Sequence, residues 1–377
     1  MSPFFSIIIP CYNQAHFLPD CLESLLKQEF QDWEAIIVND GSPDDTSEVA
    51  KRFSDKDSRI KLTEKKNGGL SSARNFGISQ AVGGRYIFLD ADDFLYLDCL
   101  EKIFVLAEKS NDFDLIQCGY SYITEDKKRV LGLVNAVKKD SLIPEIFKRN
   151  LGPCHSICIS KKLALAIGSF DEQLRSVEDW DFWMRAIKAG GKQKIIQESL
   201  VYYRYSKNSM SRNPFIMFEA FKMVIARGPK KDFRITIDSE LNKDYHFDVR
   251  LILQEVLIQS MGVGIVQGKI QETLALFHIE STTPLKEYNP HEFESMCSYL
   301  SFRYWYSRGD IEEVFTSVYP NFVHFFKEAG YDSGFTKEAL YHIFKRHLNY
   351  RNRYRYGKLM GQALNYLNRF YQETVKF

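Results

Sequence analysis

Short apolar runs alternate with stretches whose apolar positions recur every three or four residues, and this alternation organises the first part of the chain. Phe4 to Ile9 is a β-rich run closed by Pro10. From Phe17 to Gln28 the apolar positions 18, 21, 22, 25 and 26 follow a helical period. Trp33 to Val38 reads as a second buried strand ending at Asn39-Asp40-Gly41-Ser42, and Asp44, Asp45 and Thr46 supply capping chemistry for a helix over 46–53. Ile60 to Leu62 is a short strand. A glycine turn, Lys66 to Ser72, then leads into a helix over 71–81. Tyr86 to Leu89 is a fourth buried run, and it stops at Asp90-Ala91-Asp92-Asp93. This succession predicts an α/β fold around a mostly parallel sheet with right-handed crossovers.

The pattern continues with a helix over about 98–109, a strand over 115–122 with a partner at 130–134, and a helical stretch over 142–148. A strand at 156–160, a short helix over 161–167, a helix from Val177 to Lys188 and an aromatic strand, Leu200 to Tyr205, follow. Beyond about residue 210 the strand signals thin out. From Pro214 the chain reads as helices separated by turns at Gly228-Pro229, Gly268, Pro284, Gly309, Pro320 and Gly334. The expected organisation is an α/β domain over 1–210 and a helical domain over 211–377. Two stretches, 257–277 around Gly268 and 302–319 around Gly309, each read as helix, glycine turn, helix. They resemble a tetratricopeptide-like hairpin, and an ordinary helical bundle accommodates them equally well.

Composition narrows the class. A net charge of +1 over 377 residues gives no global signal for nucleic acid. The seven cysteines contain no Cys-x-x-Cys pair and are odd in number, which points to reduced thiols in a cytoplasmic protein. The first apolar run has no basic region before it and is broken at Pro10, so it is expected to be a strand and not a signal peptide. The most apolar later stretch, 252–266, is interrupted by Gln254, Glu255 and Gln259, short of the ~20 residues a membrane span requires. From Lys345 to Arg369 there are seven Lys or Arg residues and no Asp or Glu, interleaved with Tyr350, Tyr354, Tyr356 and Tyr366. Such a segment suits an anionic membrane surface, and it also fits a solvated helix face or a nucleic-acid contact.

The candidate chemistry lies at the carboxyl ends of the predicted strands, which share one edge of a parallel sheet. Tyr12 is placed to stack on a base, and Asp40 to accept a hydrogen bond from a base N–H. Arg74 offers the planar guanidinium that suits a diphosphate. Asp90, Asp92 and Asp93 supply oxygen ligands for a divalent cation carrying phosphates. Helix N-termini after the turns add backbone N–H groups for anions.

Five motifs in order carry a resemblance to glycosyltransferase family 2, the inverting enzymes of GT-A fold: Ser6-Ile-Ile-Ile-Pro10-Cys-Tyr12-Asn13; Val38-Asn-Asp40-Gly-Ser42; Asn67-Gly68-Gly-Leu-Ser-Ser-Ala-Arg74-Asn75; Phe88-Leu-Asp90-Ala91-Asp92-Asp93; and Phe170-Asp-Glu followed by Glu178-Asp179-Trp180. The resemblance covers about residues 4–210. It implies that Pro10, Tyr12, Asn13, Asp40, Asn67, Gly68, Arg74, Asp90, Ala91 and Asp92 hold the nucleotide-sugar. It also implies that Asp92 or Asp93 binds Mn2+ or Mg2+, and that Asp179, flanked by Glu178 and Trp180, is the general base. The implied reaction moves a sugar from a UDP-sugar to a hydroxyl of a glycan or lipid-linked glycan. The implied place is the cytoplasm, peripheral to the inner face of the cytoplasmic membrane through the basic C-terminal segment.

One position departs from the family's pattern. A Tyr-Arg-x-His sequence often completes the metal site, and here Tyr203-Arg204-Tyr205-Ser206 puts Ser206 at the His position. Arg204 or Lys207 is then a source of charge for the diphosphate, and His155 is a less favoured substitute ligand. A sugar-phosphate nucleotidyltransferase is the rival enzyme class, but it calls for a Gly-rich basic loop after the first strand, where this chain has Cys11-Tyr12-Asn13-Gln14. The non-enzymatic rival is a transferase-like scaffold that binds partners through its helical half.

Overall fold

Four consecutive apolar runs pair in parallel: β1 (Phe5–Cys11), β2 (Trp33–Asn39), β3 (Ile60–Glu64) and β4 (Arg85–Phe88). The computed structural model describes residues 2–109, 112–136, 142–206, 213–297 and 312–370. β1, β2 and β4 are buried along their whole length, so period-two alternation is absent from them. Helices α1 (Leu18–Leu26), α2 (Thr46–Ser54) and α3 (Leu70–Gln80) make the connections. The register sets Ile8 beside both Ile36 and Phe88, and Cys11 beside Asn39. The turns that leave β1, β2, β3 and β4 therefore share one edge.

The sheet continues through β5 (Phe94–Leu95), β6 (Leu115–Thr124), β7 (Val130–Val134), β8 (Ile157–Ser160) and β9 (Gln193–Tyr205), in the order β3-β2-β1-β4-β8-β6-β9-β5, with β7 on β6. β8 runs antiparallel to β4 and β6, and β9 runs parallel to β6. The architecture is the expected α/β one, with two differences. β5 is a two-residue strand paired with β9 through Phe94 and Tyr202, too short for a sequence pattern. β9 begins at Gln193, earlier than its aromatic run, because its polar first half pairs with β6 past irregularities flanking Gly119.

The chain divides into two compact units, one of residues 1–208 with 222–248, the other of 209–221 with 249–377. The division falls inside the helix Pro214–Arg227. Residues 222–248, beyond the expected boundary at 210, pack with the first unit through ring contacts of Tyr245 and Phe247 on Phe147 and through charge. Helix α4 (Cys99–Lys109), the single turn α5 (Glu145–Lys148), α6 (Lys161–Ala166) and α7 (Glu178–Lys188) complete that unit. On α7 the buried Asp181 accepts from Arg185 Nε at 3.1 Å and from Arg234 Nη2 at 2.8 Å. Arg185 also donates to the carbonyls of Ile167, Gly168 and Ser169. The Lys188 ammonium reaches the carbonyls of Gly228 and Lys230, and Arg227 pairs with Asp171 at 2.6 Å.

The second unit is helical. Helix Arg250–Val266 packs against Ile270–Glu280, Pro290–Ser295 and Tyr319–Glu328, and the long helix Ser333–Phe370 packs on the last two. Its core holds Met261, Ile265, Phe322, Phe325, Phe326 and Phe344. The first expected hairpin forms around Gly268, while most of the second, 302–311, lies outside the described residues. Among the described residues no helix is long and apolar enough to cross a membrane.

Replacing Asp181 by Ala leaves the buried Arg185 guanidinium without its carboxylate. Chemical denaturation should show a loss of about 3–5 kcal/mol. Asp238→Ala, on the exposed surface of the same unit, should stay within about 0.5 kcal/mol.

Candidate active site

The turns after β1, β2 and β3 are wired to one another by short polar side chains. Pro10 is buried at the end of β1, and Tyr12 follows it half exposed. Asn13 sits in the left-handed region at φ 57°, where asparagine is tolerated, and its N–H donates to Ser42 Oγ at 2.7 Å. Asp44 takes the Ala15 N–H at 2.8 Å on one oxygen and the Ser42 and Thr46 hydroxyls on the other. Asp40 is buried and accepts from Lys65 Nζ at 2.7 Å, Gly69 N at 2.7 Å and Gly68 N at 3.0 Å. The carboxylate expected to receive a base N–H thus already organises the Asn67-Gly68 turn, both of whose residues are exposed. Gly41 has no alternative here: its φ is 66° and a Cβ would stand 2.8 Å from the Asn67 nitrogen. Lys65 escaped the sequence reasoning; its only signal is a lysine directly after β3, opposite the end of β2. An open cleft of about 520 Å3 beside Asp40 is lined by Asn39, Ser42, Ser47, Glu64, Lys65 and Lys66.

Arg74 has different neighbours from those expected. It is fully buried on α3, and its guanidinium forks between Asp90 Oδ1, at 2.7 Å, and Glu178 Oε1. Both terminal nitrogens are on carboxylates, where a diphosphate contact was expected. Asn75 beside it holds the Phe170 backbone in both directions, at 2.8 and 3.0 Å. Phe170 stacks on Phe182 of α7 and meets Phe88 of β4 edge-on. Together these contacts bring the start of α7 to the end of β4. Val177, just before α7, has φ 52°, a strained conformation for a β-branched residue, and it aims Glu178 and Asp179 inward.

The Asp90–Asp93 turn is closed by Asp93 N donating to Asp90 O at 3.0 Å, with Ala91 buried beneath it. Asp93 is completely buried. One of its oxygens accepts the Arg204 N–H at 2.7 Å, and the other, Oδ2, makes no hydrogen bond. His155, equally buried in the turn Cys154–Ser156, lies with Nδ1 3.2 Å from that oxygen, yet neither of its ring nitrogens is hydrogen-bonded. Burial lowers the His155 pKa to about 4, so the ring is neutral and carries a free lone pair. Burial, then Asp92 and Asp90, pushes the Asp93 carboxyl well up. Asp90, Asp93 and His155 offer ligand atoms within 4.8 Å of one another. Two carboxylates and a neutral imidazole are a donor set that Mn2+ accepts, and the orphaned atoms of Asp93 and His155 are those a cation would satisfy.

Asp92, expected as the alternative to Asp93 on the metal, stands next to this trio. It is partly exposed, and burial and then Asp90 raise its pKa to about 6. Arg204 is buried and fully engaged: Nε on the Asp92 carbonyl, Nη1 on the Glu125 carbonyl and Nη2 on Asp20. It braces the acidic turn where a diphosphate contact was expected. Ser206 lies just past β9, partly exposed, and Lys207 lies outside the described residues.

Asp179 lies partly exposed at the start of α7. Its Oδ1 accepts Trp180 N at 2.7 Å and its Oδ2 accepts Asn150 Nδ2 at 3.0 Å. Trp180 is buried and ties α7 to α5 through Nε1 and the Ile146 carbonyl at 2.6 Å. Burial and the Glu178 charge raise the Asp179 pKa to about 7, against the opposing pull of Arg74 and the two hydrogen bonds. A carboxylate that titrates there is matched to proton transfer near neutral pH.

A family model described as glycosyl transferase family 2 matches residues 6–165. The uncharacterized glycosyltransferase EpsJ of Bacillus subtilis is 32% identical over 225 residues, 57% of this chain and 65% of EpsJ. The uncharacterized glycosyltransferase RT0329 of Rickettsia typhi is 34% identical over 193 residues, 50% of this chain and 59% of that protein. The chain thus spans less than two thirds of each of these two relatives. The putative teichuronic acid biosynthesis glycosyltransferase TuaG of Bacillus subtilis is 30% identical over 213 residues, 56% of this chain and 82% of TuaG. Among solved structures, residues 1–349 of S. aureus TarS in complex with UDP-GlcNAc superpose with a TM-score of 0.52 at 18% identity, covering 95% of this chain and 93% of that one. The mannosyltransferase PcManGT of Pyrobaculum calidifontis, in complex with GDP-Man and Mn2+, gives 0.50 at 14% identity, covering 81% and 86%. At these identities the likeness establishes the GT-A fold alone.

The orphaned carboxylate has a consequence for stability. A carboxyl whose folded pKa is raised favours the folded state below the unfolded value, ~4, and that contribution is lost as pH rises through the folded value. Asp93→Asn keeps the oxygen that accepts from Arg204 N and removes the buried charge. In chelator, the variant should be more stable than the parent at pH 8 by about 1–3 kcal/mol, with the gap closing towards pH 4. Denaturation at the two pH values checks this.

Proposed function

Since the chain belongs to glycosyl transferase family 2, we propose that it transfers a sugar, with inversion, from a UDP-sugar to a hydroxyl of a glycan or lipid-linked glycan. The observation that carries the reading is the Arg74 fork, which holds the acidic turn after β4 and the acidic start of α7 at one sheet edge. The complexes of TarS with UDP-GlcNAc and of PcManGT with GDP-Man and Mn2+ support a nucleotide-sugar donor, the TarS complex a UDP one, and the putative teichuronic acid assignment of TuaG supports a cell-envelope acceptor.

In this reading Asp179 takes the proton of the acceptor hydroxyl as the oxygen bonds to the anomeric carbon. The bond from that carbon to the diphosphate breaks, and its electron pair leaves with the nucleotide. Tyr12, Asn13 and the Asn67-Gly68 turn line the nucleotide side with Pro10, Asp40 and Ala91 beneath them. Asp90, Asp93 and His155 would hold Mn2+ or Mg2+, with Asp92 beside them, and the cation would supply positive charge against the departing diphosphate. Arg74 and Arg204 act from behind, fixing the carboxylates. The helical unit binds the acceptor or a partner. The basic segment 345–369 rests on the inner face of the cytoplasmic membrane.

UDP release from a panel of UDP-sugars, with and without Mn2+, tests the reading. Metal-dependent release from at least one donor is expected; none from any donor overturns it. Asp179→Asn should lower turnover about 10²–10⁴-fold and leave UDP binding intact. His155→Ala should weaken Mn2+ binding about 10-fold or more by calorimetry, and Asp92→Ala should weaken metal-dependent UDP binding. An unchanged Mn2+ affinity in His155→Ala would remove that residue from the site.

A further inference from the structure

We propose that Asn150 is a positioning residue for Asp179, its side-chain amide holding the carboxylate ready for the acceptor proton. The inference rests on Asp179 acting as the base. Asn150 follows α5, in a loop outside every motif of the sequence reading. Its Nδ2 donates to Asp179 Oδ2 at 3.0 Å, and its own Oδ1 accepts the Leu151 N–H at 2.8 Å. The second bond fixes the orientation of the amide: reversing it would set an oxygen against the carboxylate and an NH2 against an N–H.

The loop is anchored on both sides. Gln117 of β6 donates to the Leu151 carbonyl at 2.6 Å and is itself held by Gln193 of β9. On the other side Trp180, the residue after Asp179, donates to Ile146 of α5. Loop and base are thus tied to each other twice, once through Trp180 and once through Asn150. Among the described residues, Asn150 is the side chain that hydrogen-bonds Asp179; Arg74 is committed to Asp90 and Glu178.

The charged and titratable groups facing Asp179 are few. Glu178 adjoins it on α7 and raises its pKa. Arg74 of α3 lowers it, with Asp90 of the β4 turn on the far side of that guanidinium. Cys154, in the turn before β8, is kept a neutral thiol by burial. Asn150 donates to the ionised form, so losing this donor moves the base to higher pH.

Asn150→Asp separates positioning from local structure. It keeps the shape and the oxygen that accepts from Leu151 N, and it replaces the donor facing Asp179 with an acceptor. The probe is Mn2+-dependent UDP release, followed from pH 5 to 9 with the donor the protein turns over. The expected result is an acid limb of kcat/KM shifted up by about one pH unit or more and kcat at pH 7 reduced about tenfold, with KM for the donor within about twofold. Asn150→Ala should shift the limb the same way by less, and it carries the test if Asn150→Asp does not fold. A wild-type pH profile in the folded variant overturns the proposal. Asp179→Asn is the paired control: if it releases UDP at the wild-type rate, the base assignment itself is wrong. If it is inactive while Asn150→Asp behaves as wild type, only the role of Asn150 falls.

Discussion

A single buried guanidinium organises this site. Arg74 is buried, with Phe170 at 5.3 Å, and Asp90 and Glu178 neutralise it from two sides. Those two carboxylates come from elements more than eighty residues apart in the chain. Removing the arginine would leave both acids to bear their own desolvation, next to Asp179, Asp92 and Asp93, whose pKa values are already raised. Arg74 therefore neutralises the acids of β4 and α7 where the Asn75 and Phe170 contacts bring them together.

The neighbouring cluster shows the opposite arrangement, polar atoms left without partners. Asp93 Oδ2 and both nitrogens of His155 are buried and make no hydrogen bond, at a cost of about 1–3 kcal/mol for each such group. The surrounding fold holds them regardless. Arg204 grips the backbone and one oxygen of the acidic turn, and the pairing of β8 between β4 and β6 fixes His155 beside it. Such a local sacrifice of stability is common at functional sites.

The helix bearing Asp179 is secured from behind by charge as well. Asp181 and Lys188 lie on the buried side of α7 and bind the segment that carries Gly228, Lys230 and Arg234, while Arg185 holds the carbonyls of Ile167, Gly168 and Ser169. That segment has no regular secondary structure after Arg227. Neither periodicity nor apolar content marks it, which is why a boundary read from helical and strand patterns passed it by.

What the sequence determined by itself was whatever depends on short-range pattern. Buried strands, crossover helices, the acidic stop of β4 and the acidic start of α7 are written in consecutive residues, and they were enough to place the motifs on one sheet edge. Tertiary structure alone decided which group each polar side chain would meet. Arg74 and Arg204 look in sequence like diphosphate ligands, and burial assigns both to carboxylates and carbonyls. His155, a less favoured ligand on sequence, is placed against Asp93 by the turn that leads into β8. Asn150 carried no signal, because a hydrogen bond between a loop and a helix start 29 residues away has no local pattern. The reason is common to all of these: propensity and periodicity act along the chain, whereas desolvation and charge pairing act through space.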